Sequence, residues 1–328
     1  MQPYAFGDAQ RMKLIIQIPC YNEEKSLPIT LAGLPRNLPG VDVIEWLIID
    51  DGSTDGTIEA ARKGGVDHII RLTRNRGLAR AFTAGIEFAI MAGADIIVNT
   101  DADNQYNSDD IPKLIQPIIE GTAEIVIGER PIDDIAHFSP LKKILQRAGS
   151  RVVRMASGTD VPDAPSGFRA FSKDAAMRLS VFNDYTYTLE TIIQAGRKNM
   201  AIVSVPVRTN PDLRPSRLVR SIPRYVLRST VTIARILMTY RPFRFFATPG
   251  LICFIIGLAP SMRFLYYWSL GMGDGKLQSL MFAILMLGTG VALIVVGLIA
   301  DLIGVNRMLL EEVRFRLRQM QLESRRKK

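Results

Sequence analysis

Residues 96–105 read IIVNTDADNQ: the apolar run Ile96 to Val98 closes on Asn99 and Thr100 and is followed at once by Asp101-Ala102-Asp103. A short β-branched run bounded by polar residues reads as a buried strand, so the two aspartates stand at its carboxyl end. Two positions apart, both carboxylates can project the same way. In open α/β sheets ligands gather at the carboxyl ends of the strands. The triplet alone carries little information, since at ordinary Asp usage a D-x-D arises by chance about once in a chain of this length. Its place after the strand is what counts.

Working outward, apolar runs alternate with helical patterns through the first 212 residues. Strands are expected at Leu14–Ile18, Trp46–Ile49, His68–Leu72, Ile96–Asn99 and Ile125–Ile127. Helices are expected at Ser26–Leu34, Thr57–Lys63, the stretch carrying Leu78, Phe82, Ile86 and Ile90 on one face, and Ile111–Ile119. Such alternation predicts an α/β domain whose mostly parallel sheet is covered on both faces. The strand ends are polar: Pro19-Cys20-Tyr21-Asn22-Glu23-Glu24, Asp50-Asp51-Gly52-Ser53-Thr54-Asp55-Gly56, Asp101 to Gln105, and Gly128-Glu129-Arg130. Three acidic loops and one arginine at a single sheet edge make a candidate site.

The chain has 328 residues and a formal net charge of +9, with 48% hydrophobic residues, two cysteines and two histidines. That hydrophobic content excludes a disordered chain, and Cys20 and Cys253 cannot make a disulfide scaffold or a Cys-rich zinc module. The charge is unevenly placed. Residues 1–212 hold 23 Lys/Arg against 27 Asp/Glu, a net of −4, whereas 213–244 hold eight Arg and no acid. Residues 245–306 are neutral and 307–328 carry +5. The excess flanks an apolar part, which argues for membrane positioning and against nucleic acid as a partner.

Within that apolar part, Phe245 to Met262 and Leu277 to Ala300 are uncharged, each close to the ~20 residues that cross a hydrocarbon core. Transmembrane helices are therefore expected at about 245–268 and 277–300, forming a hairpin over 245–303. Arg217, Arg220, Arg224, Arg228 and Arg235 fall at helical spacing between apolar residues, so 213–244 is expected to be amphipathic, basic and interfacial. Arginine flanks both outer ends, and the connector at 271–276 carries no net charge. The positive-inside bias then places the catalytic domain (1–212) and the basic tail (304–328) in the cytoplasm. No apolar run precedes residue 240, so no cleaved secretory signal is expected.

Asp101 and Asp103 leave coordination positions open, which suits Mg²⁺ or Mn²⁺ shared with a diphosphate. Asp51 could accept hydrogen bonds from a base, and Tyr21 could pack on a ring. The plainer reading of Asp50 to Gly56 is a helix entry, with Ser53 or Thr54 capping the helix near Thr57. Cys20 reads as a small buried residue.

The ordered set P-x-Y-N-E-E, D-D-G-S-T-D-G-T, N-x-G-L-x-x-A-x-x-x-G (Asn75 to Gly85), D-A-D-x-Q, G-E-R and S-G-F-R-A-F (Ser166 to Phe171) resembles the family-2 inverting glycosyltransferases of GT-A fold. Within them it is similar to the dolichyl- and polyprenyl-phosphate sugar synthases, over essentially the whole chain. The resemblance implies a nucleotide sugar, a polyprenyl phosphate and a membrane as partners. It puts Pro19, Tyr21, Asn22, Glu23, Ile49, Asp51, Asp101, Ala102 and Asp103 against the nucleotide sugar, with Arg208 and Arg217 of a basic loop over the diphosphate. Asp101, Asp103 and Gln105 would hold Mg²⁺ or Mn²⁺. Arg130 would face the phosphates, and Lys142, Lys143, Arg147, Ser166 and Arg169 would join it on the acceptor phosphate. Asp163 matches an aspartate suggested as a base, and reads equally as an orienting residue. Relatives with this hairpin can assemble through the membrane region, which leaves a homo-oligomer open, and the membrane implied is a cell inner membrane or an ER membrane.

Two other readings compete. A processive polysaccharide synthase would carry a Q-x-x-R-W motif, and neither Trp46 nor Trp268 follows one. A non-catalytic membrane scaffold would not need the full set of acidic and basic groups.

Overall fold

Strand β1 (Lys13–Cys20) is buried from Leu14 onward, as its continuous apolar character requires of a strand covered on both faces. It pairs in parallel with β2 (Val43–Asp50) and with β4 (Ile96–Asn99), and β3 (His68–Arg71) extends the sheet beyond β2. The crossovers are α1 (Leu27–Gly33), α2 (Thr57–Lys63) and α3 (Leu78–Met91), and α4 (Ile111–Ile119) leads from β4 to β5 (Ile125–Glu129). The computed structural model describes residues 11–131, 140–179, 181, 187–211, 231, 234–235, 237–271 and 277–326. To this point it follows the alternation expected from the sequence.

Beyond β5 come α5 (Pro140–Ser157), β6 (Arg169–Ser172), α6 (Lys173–Arg178), α7 (Thr188–Arg197) and β7 (Ile202–Pro206). The seven strands lie in the order β3-β2-β1-β4-β6-β5-β7. Strand β6 is antiparallel to both β4 and β5, while β7 runs parallel to β5. The mixed sheet is thus mostly parallel, with one reversed strand inserted between β4 and β5. That strand brings the Ser166–Phe171 motif beside the Asp101 loop.

Leu14, Ile16, Ile18, Ile48, Val98 and Val126 form one core face, closed by Leu27 and Leu31 of α1 and Leu114 and Ile115 of α4. Helix α3 covers β1 and β2 from the other side. Gly85 is the point of closest approach: a Cβ there would stand 2.7 Å from Ile49 Cδ1 and closer still to the Gln17 amide. The last glycine of the N-x-G-L motif is therefore a packing requirement of helix on sheet.

Two compact units divide the chain, residues 1–226 with 315–328, and residues 227–314. The second unit holds α8 (Pro242–Ser269) and most of α9 (Leu277–Arg326). At ~1.5 Å per residue, α8 is about 42 Å long, more than the ~30 Å hydrocarbon core. Only 11% and 17% of the most apolar windows of these two helices are buried inside the chain, so they are candidate membrane spans and not helices of its own core. They meet through glycine: a Cβ on Gly290 would lie 2.7 Å from the Gly250 carbonyl oxygen, and one on Gly257 2.9 Å from the Leu287 nitrogen. Small residues let apolar helices approach closely where no hydrophobic effect drives them together.

The tail expected at 304–328 is helical: α9 runs through Arg326, and its final turns group with the globular unit. There Arg318 donates to the carbonyls of Met177 (3.1 Å) and Leu179 (3.2 Å) and pairs with Glu87 (2.9 Å). The amphipathic segment expected over 213–244 lies outside the described residues from 212 to 230, as does Arg217, and so does most of the connector at 271–276.

Candidate active site

The site is built where β1, β2 and β4 end. Asn22, left-handed at φ 54°, accepts the Thr54 N–H at 2.9 Å, while the Asn22 and Glu23 N–H groups donate to Ser53 Oγ and Thr57 Oγ1 at 2.9 Å each. The Tyr21–Glu24 loop is thereby zipped to Ser53–Thr57. The helix-entry reading of Asp50–Gly56 holds in altered form. Asp55, not Ser53 or Thr54, accepts the Thr57 N–H (3.1 Å).

Asp51 is buried and accepts from the Arg76 N–H (2.7 Å) and the Gly77 N–H (2.8 Å), one on each carboxylate oxygen. It ties the end of β2 to the start of α3, and each oxygen keeps a lone pair for another donor. Tyr21 is 41% exposed, whereas Pro19 is buried and Ile49 has no exposure. The Ile49 side chain is in the core against α3, which leaves only its backbone at the carboxyl end of β2 for the nucleoside-lining role expected of it. Cys20 is buried, and burial pushes its thiol pKa well up.

Asp101 and Asp103 follow β4 on a turn in which Gln105 N–H donates to Asp103 Oδ1 (3.2 Å). Asn104, between Asp103 and Gln105, is left-handed at φ 58°. Burial, then the charge of Asp103, raises the Asp101 pKa to about 7, against the opposing pull of Arg130. Gly167 lets this carboxylate sit against the start of β6, since a Cβ there would be 2.9 Å from Asp101 Oδ2. Two close carboxylates, one of them reluctant to ionise alone, form a donor set that a hard divalent cation fits. Such a cation needs only one or two carboxylates when a diphosphate and water complete its shell.

Arg130 is nearly buried and Asp163 fully so. Arg130 Nε donates to Asp163 Oδ2 at 2.7 Å and Nη2 to Oδ1 at 2.9 Å, a bidentate pair. Burial pulls the guanidinium pKa down, and the facing Tyr106, Asp163 and Asp101 more than reverse it. With both oxygens engaged, Asp163 is placed to orient Arg130; the base role expected as an alternative has no support in this geometry.

Arg169 departs furthest from expectation. It has no exposure, and its guanidinium donates to the carbonyls of Ser166, Thr188 and Ala164 and to Thr191 Oγ1, all at 2.7 Å. Four charge-assisted bonds of about 1.5–3 kcal/mol each offset the several kcal/mol cost of burying an ion. Burial lowers its pKa to about 10, so it stays charged at neutral pH. The residue holds β6 to α7, and an acceptor-phosphate role does not fit its position. Ser166 is likewise fully buried. Arg208 is also engaged elsewhere than expected, on Asp110 (N–H to Oδ2 2.7 Å, Nη2 to Oδ1 3.0 Å). Lys142, Lys143 and Arg147 lie on α5, and their side chains fall outside the described residues.

Residues not singled out in the sequence complete the floor. Asn99 accepts from Gln17 Nε2 (2.9 Å) and donates to the Gly167 carbonyl (2.9 Å) and Tyr187 Oη (2.8 Å). Gly167 N–H in turn donates to Tyr106 Oη (2.9 Å). Polar Gln17 and Asn99 inside apolar strands were the available signal, because a buried polar side chain needs partners. An open groove of about 730 Å³ between α1 and α2, lined by Trp46, Glu59 and Lys63 among others, contains none of the site carboxylates.

Known proteins resemble this chain in sequence and in fold. Among curated relatives, the undecaprenyl-phosphate mannosyltransferase of Micrococcus luteus is 30% identical over 206 residues, covering 60% of this chain and 83% of that protein. The UDP-N-acetylglucosamine–dolichyl-phosphate N-acetylglucosaminyltransferase of Methanococcus voltae is 34% identical over 214 residues, 58% of this chain and 83% of that one. Among solved structures, glucosyl-3-phosphoglycerate synthase from Mycobacterium tuberculosis, in complex with Mn²⁺, UDP-glucose and phosphoglyceric acid, superposes with a TM-score of 0.55. It is 21% identical, covering 69% of this chain and 79% of that chain, a likeness of GT-A fold. The model of Glycosyl transferase family 2 matches residues 15–180. By that match, over half of its length, the chain belongs to glycosyltransferase family 2.

Proposed function

We propose that this glycosyltransferase moves a sugar from a nucleotide diphosphate sugar to a polyprenyl phosphate at the cytoplasmic membrane face, inverting the anomeric centre. The observation that carries the acceptor reading is the continuity of one chain: an acidic diphosphate-type site followed by two long apolar helices with exposed faces. The names of the relatives from M. luteus and M. voltae support it.

In the proposed reaction an acceptor phosphate oxygen attacks the anomeric carbon while the bond from that carbon to the diphosphate oxygen breaks. A phosphomonoester is largely dianionic near pH 7, with a second pKa of about 6, so no base is required. Asp101 and Asp103, with Gln105, would hold Mg²⁺ or Mn²⁺, whose chemistry is to neutralise charge gathering on the departing diphosphate. Tyr21 offers an exposed ring to a base. Arg130, locked by Asp163, presents fixed positive charge to the phosphates without having to reorganise. The basic residues of α5 are the proposed place for the acceptor phosphate. The domain limits proposed are 1–212 for catalysis, 213–244 at the interface and 245–303 in the membrane.

The test is sugar transfer by the purified full chain in detergent, with a short polyprenyl phosphate and a panel of GDP-mannose, UDP-GlcNAc and UDP-glucose. A chloroform-soluble sugar lipid that EDTA abolishes is expected, and Asp103→Ala should remove turnover while keeping the fold. A growing polymer, or no transfer from any donor, overturns the reading.

A further inference from the structure

The segment leaving β7 lies along the loop that carries the acidic pair. Asn107 N–H donates to the Arg208 carbonyl (3.2 Å) and Asn210 N–H to the Gln105 carbonyl (2.9 Å), with Tyr106 and Thr209 bridged in antiparallel fashion between them. Arg208 anchors one end of this contact on the fully buried Asp110. At the other end the Asn210 side chain reaches across: Nδ2 donates to the Asn104 carbonyl (3.0 Å) and to the Tyr106 carbonyl (3.2 Å). Both acceptors are carbonyls, so only the amide NH₂ can face them, which settles the orientation of the amide.

The placement matters because of what lies between the two carbonyls. Asn104 is left-handed, a conformation that asparagine adopts more readily than other non-glycine residues, and its carbonyl is held by the Asn210 amide. It joins Asp103 directly to Gln105. Releasing the Asn104 carbonyl frees the turn immediately after Asp103.

We propose that Asn210 is a positioning residue for the acidic loop, its amide fixing the left-handed turn at Asn104 so that Asp103 and Gln105 are presented together to a divalent cation. Asn210 touches neither cation nor substrate; it acts through the loop backbone. The inference rests on the cation reading given under Proposed function. It also assigns the Arg208–Asn210 segment a structural part in the site, where the sequence suggested only a phosphate contact by Arg208.

The experiment uses the full chain in detergent, with Mn²⁺ titrated in the presence of UDP and free Mn²⁺ read by electron paramagnetic resonance. Asn210→Ala removes both hydrogen bonds, and the isosteric Asn210→Asp turns a carboxylate oxygen toward two carbonyls. Both should weaken Mn²⁺ binding about tenfold, as loss of a group supporting metal ligands does, with the thermal midpoint of the globular unit within about 2 °C of wild type. Amide exchange at Gln105 and Asn107 should quicken in both. Should the aspartate variant not fold, the alanine variant carries the test. Wild-type binding with unchanged affinity in a folded Asn210→Ala overturns this proposal alone. A wild-type chain that binds no Mn²⁺ overturns the cation reading, and this proposal with it.

Discussion

With the proposed cation at the acidic loop, Asp101 is expected to set the pH response of the site. Burial and the neighbouring Asp103 raise its pKa to about 7, so below that pH the cation-free loop retains a proton that a metal must displace. Mn²⁺ affinity is expected to rise about tenfold per pH unit up to about pH 7 and then level off, which calorimetric titration from one to two units below that pH to one to two units above it would show. Without the cation the sign reverses. A carboxyl raised in the folded state favours folding at low pH and loses that contribution as pH rises through about 7, so melts in EDTA should shift downward there. Asp163 makes a second residue-scale prediction. If it orients Arg130, Asp163→Asn lowers turnover yet leaves the shape of the pH–rate profile unchanged. Loss of an acid limb in that variant would instead reveal a base. Removing the carboxylate with Asp163→Ala strands a buried guanidinium, a change that costs about 3–5 kcal/mol in other proteins.

Among the elements, β6 and the α8–α9 hairpin show how spacing and packing divide the work. The first five strands and first four helices were legible because their apolar residues repeat with the right period. Strand β6 was not, since Arg169 interrupts its apolar character and a charged residue reads as a surface position. Only the four acceptors gathered from Ser166, Ala164, Thr188 and Thr191 make a charged residue permissible in a buried strand. In the hairpin, apolar length was legible and the contact face was not. Gly250, Gly257, Gly290 and Gly297 recur at intervals of seven on their helices, and each would place a Cβ within 3.3 Å of the opposite helix. Gly288 has nothing within 4 Å. Gly290→Val is therefore expected to lower the thermal stability of the detergent-solubilised chain, and Gly288→Val to leave it unchanged, as judged by fluorescence-detected size exclusion after heating. Equal effects of the two substitutions would contradict the glycine contact.

At the scale of the whole molecule, the net charge of +9 describes placement more than binding. The portion that carries the candidate site is net negative over 1–212, a charge that the proposed cation would offset for a diphosphate, while arginine accumulates on both sides of the hairpin. The proposed topology puts residues 1–212 and 304–328 on one side of the membrane and the connector on the other. With the native Cys20 and Cys253 replaced, a single cysteine introduced in the connector by Asp274→Cys should react with an impermeant thiol reagent in intact cells. One introduced in the tail by Ser324→Cys should stay unlabelled until the cells are opened. Labelling in the opposite sense would invert the topology.

Local pattern determined much of this protein without any structure: the alternation through β5, the acidic loops at the strand ends, and two helices long and apolar enough to span. These depend on residues near one another in the chain, whose period and boundaries are written locally. Tertiary structure decided which charges belong to the site. Arg130 meets Asp163 across 33 positions, Arg208 meets Asp110 across 98, and Asn210 meets Asn104 across 106. A guanidinium looks the same in sequence whether it awaits a phosphate or is already satisfied. Its partner is chosen by packing, because in a low-dielectric interior each buried charge must find hydrogen-bonding groups wherever the fold brings them.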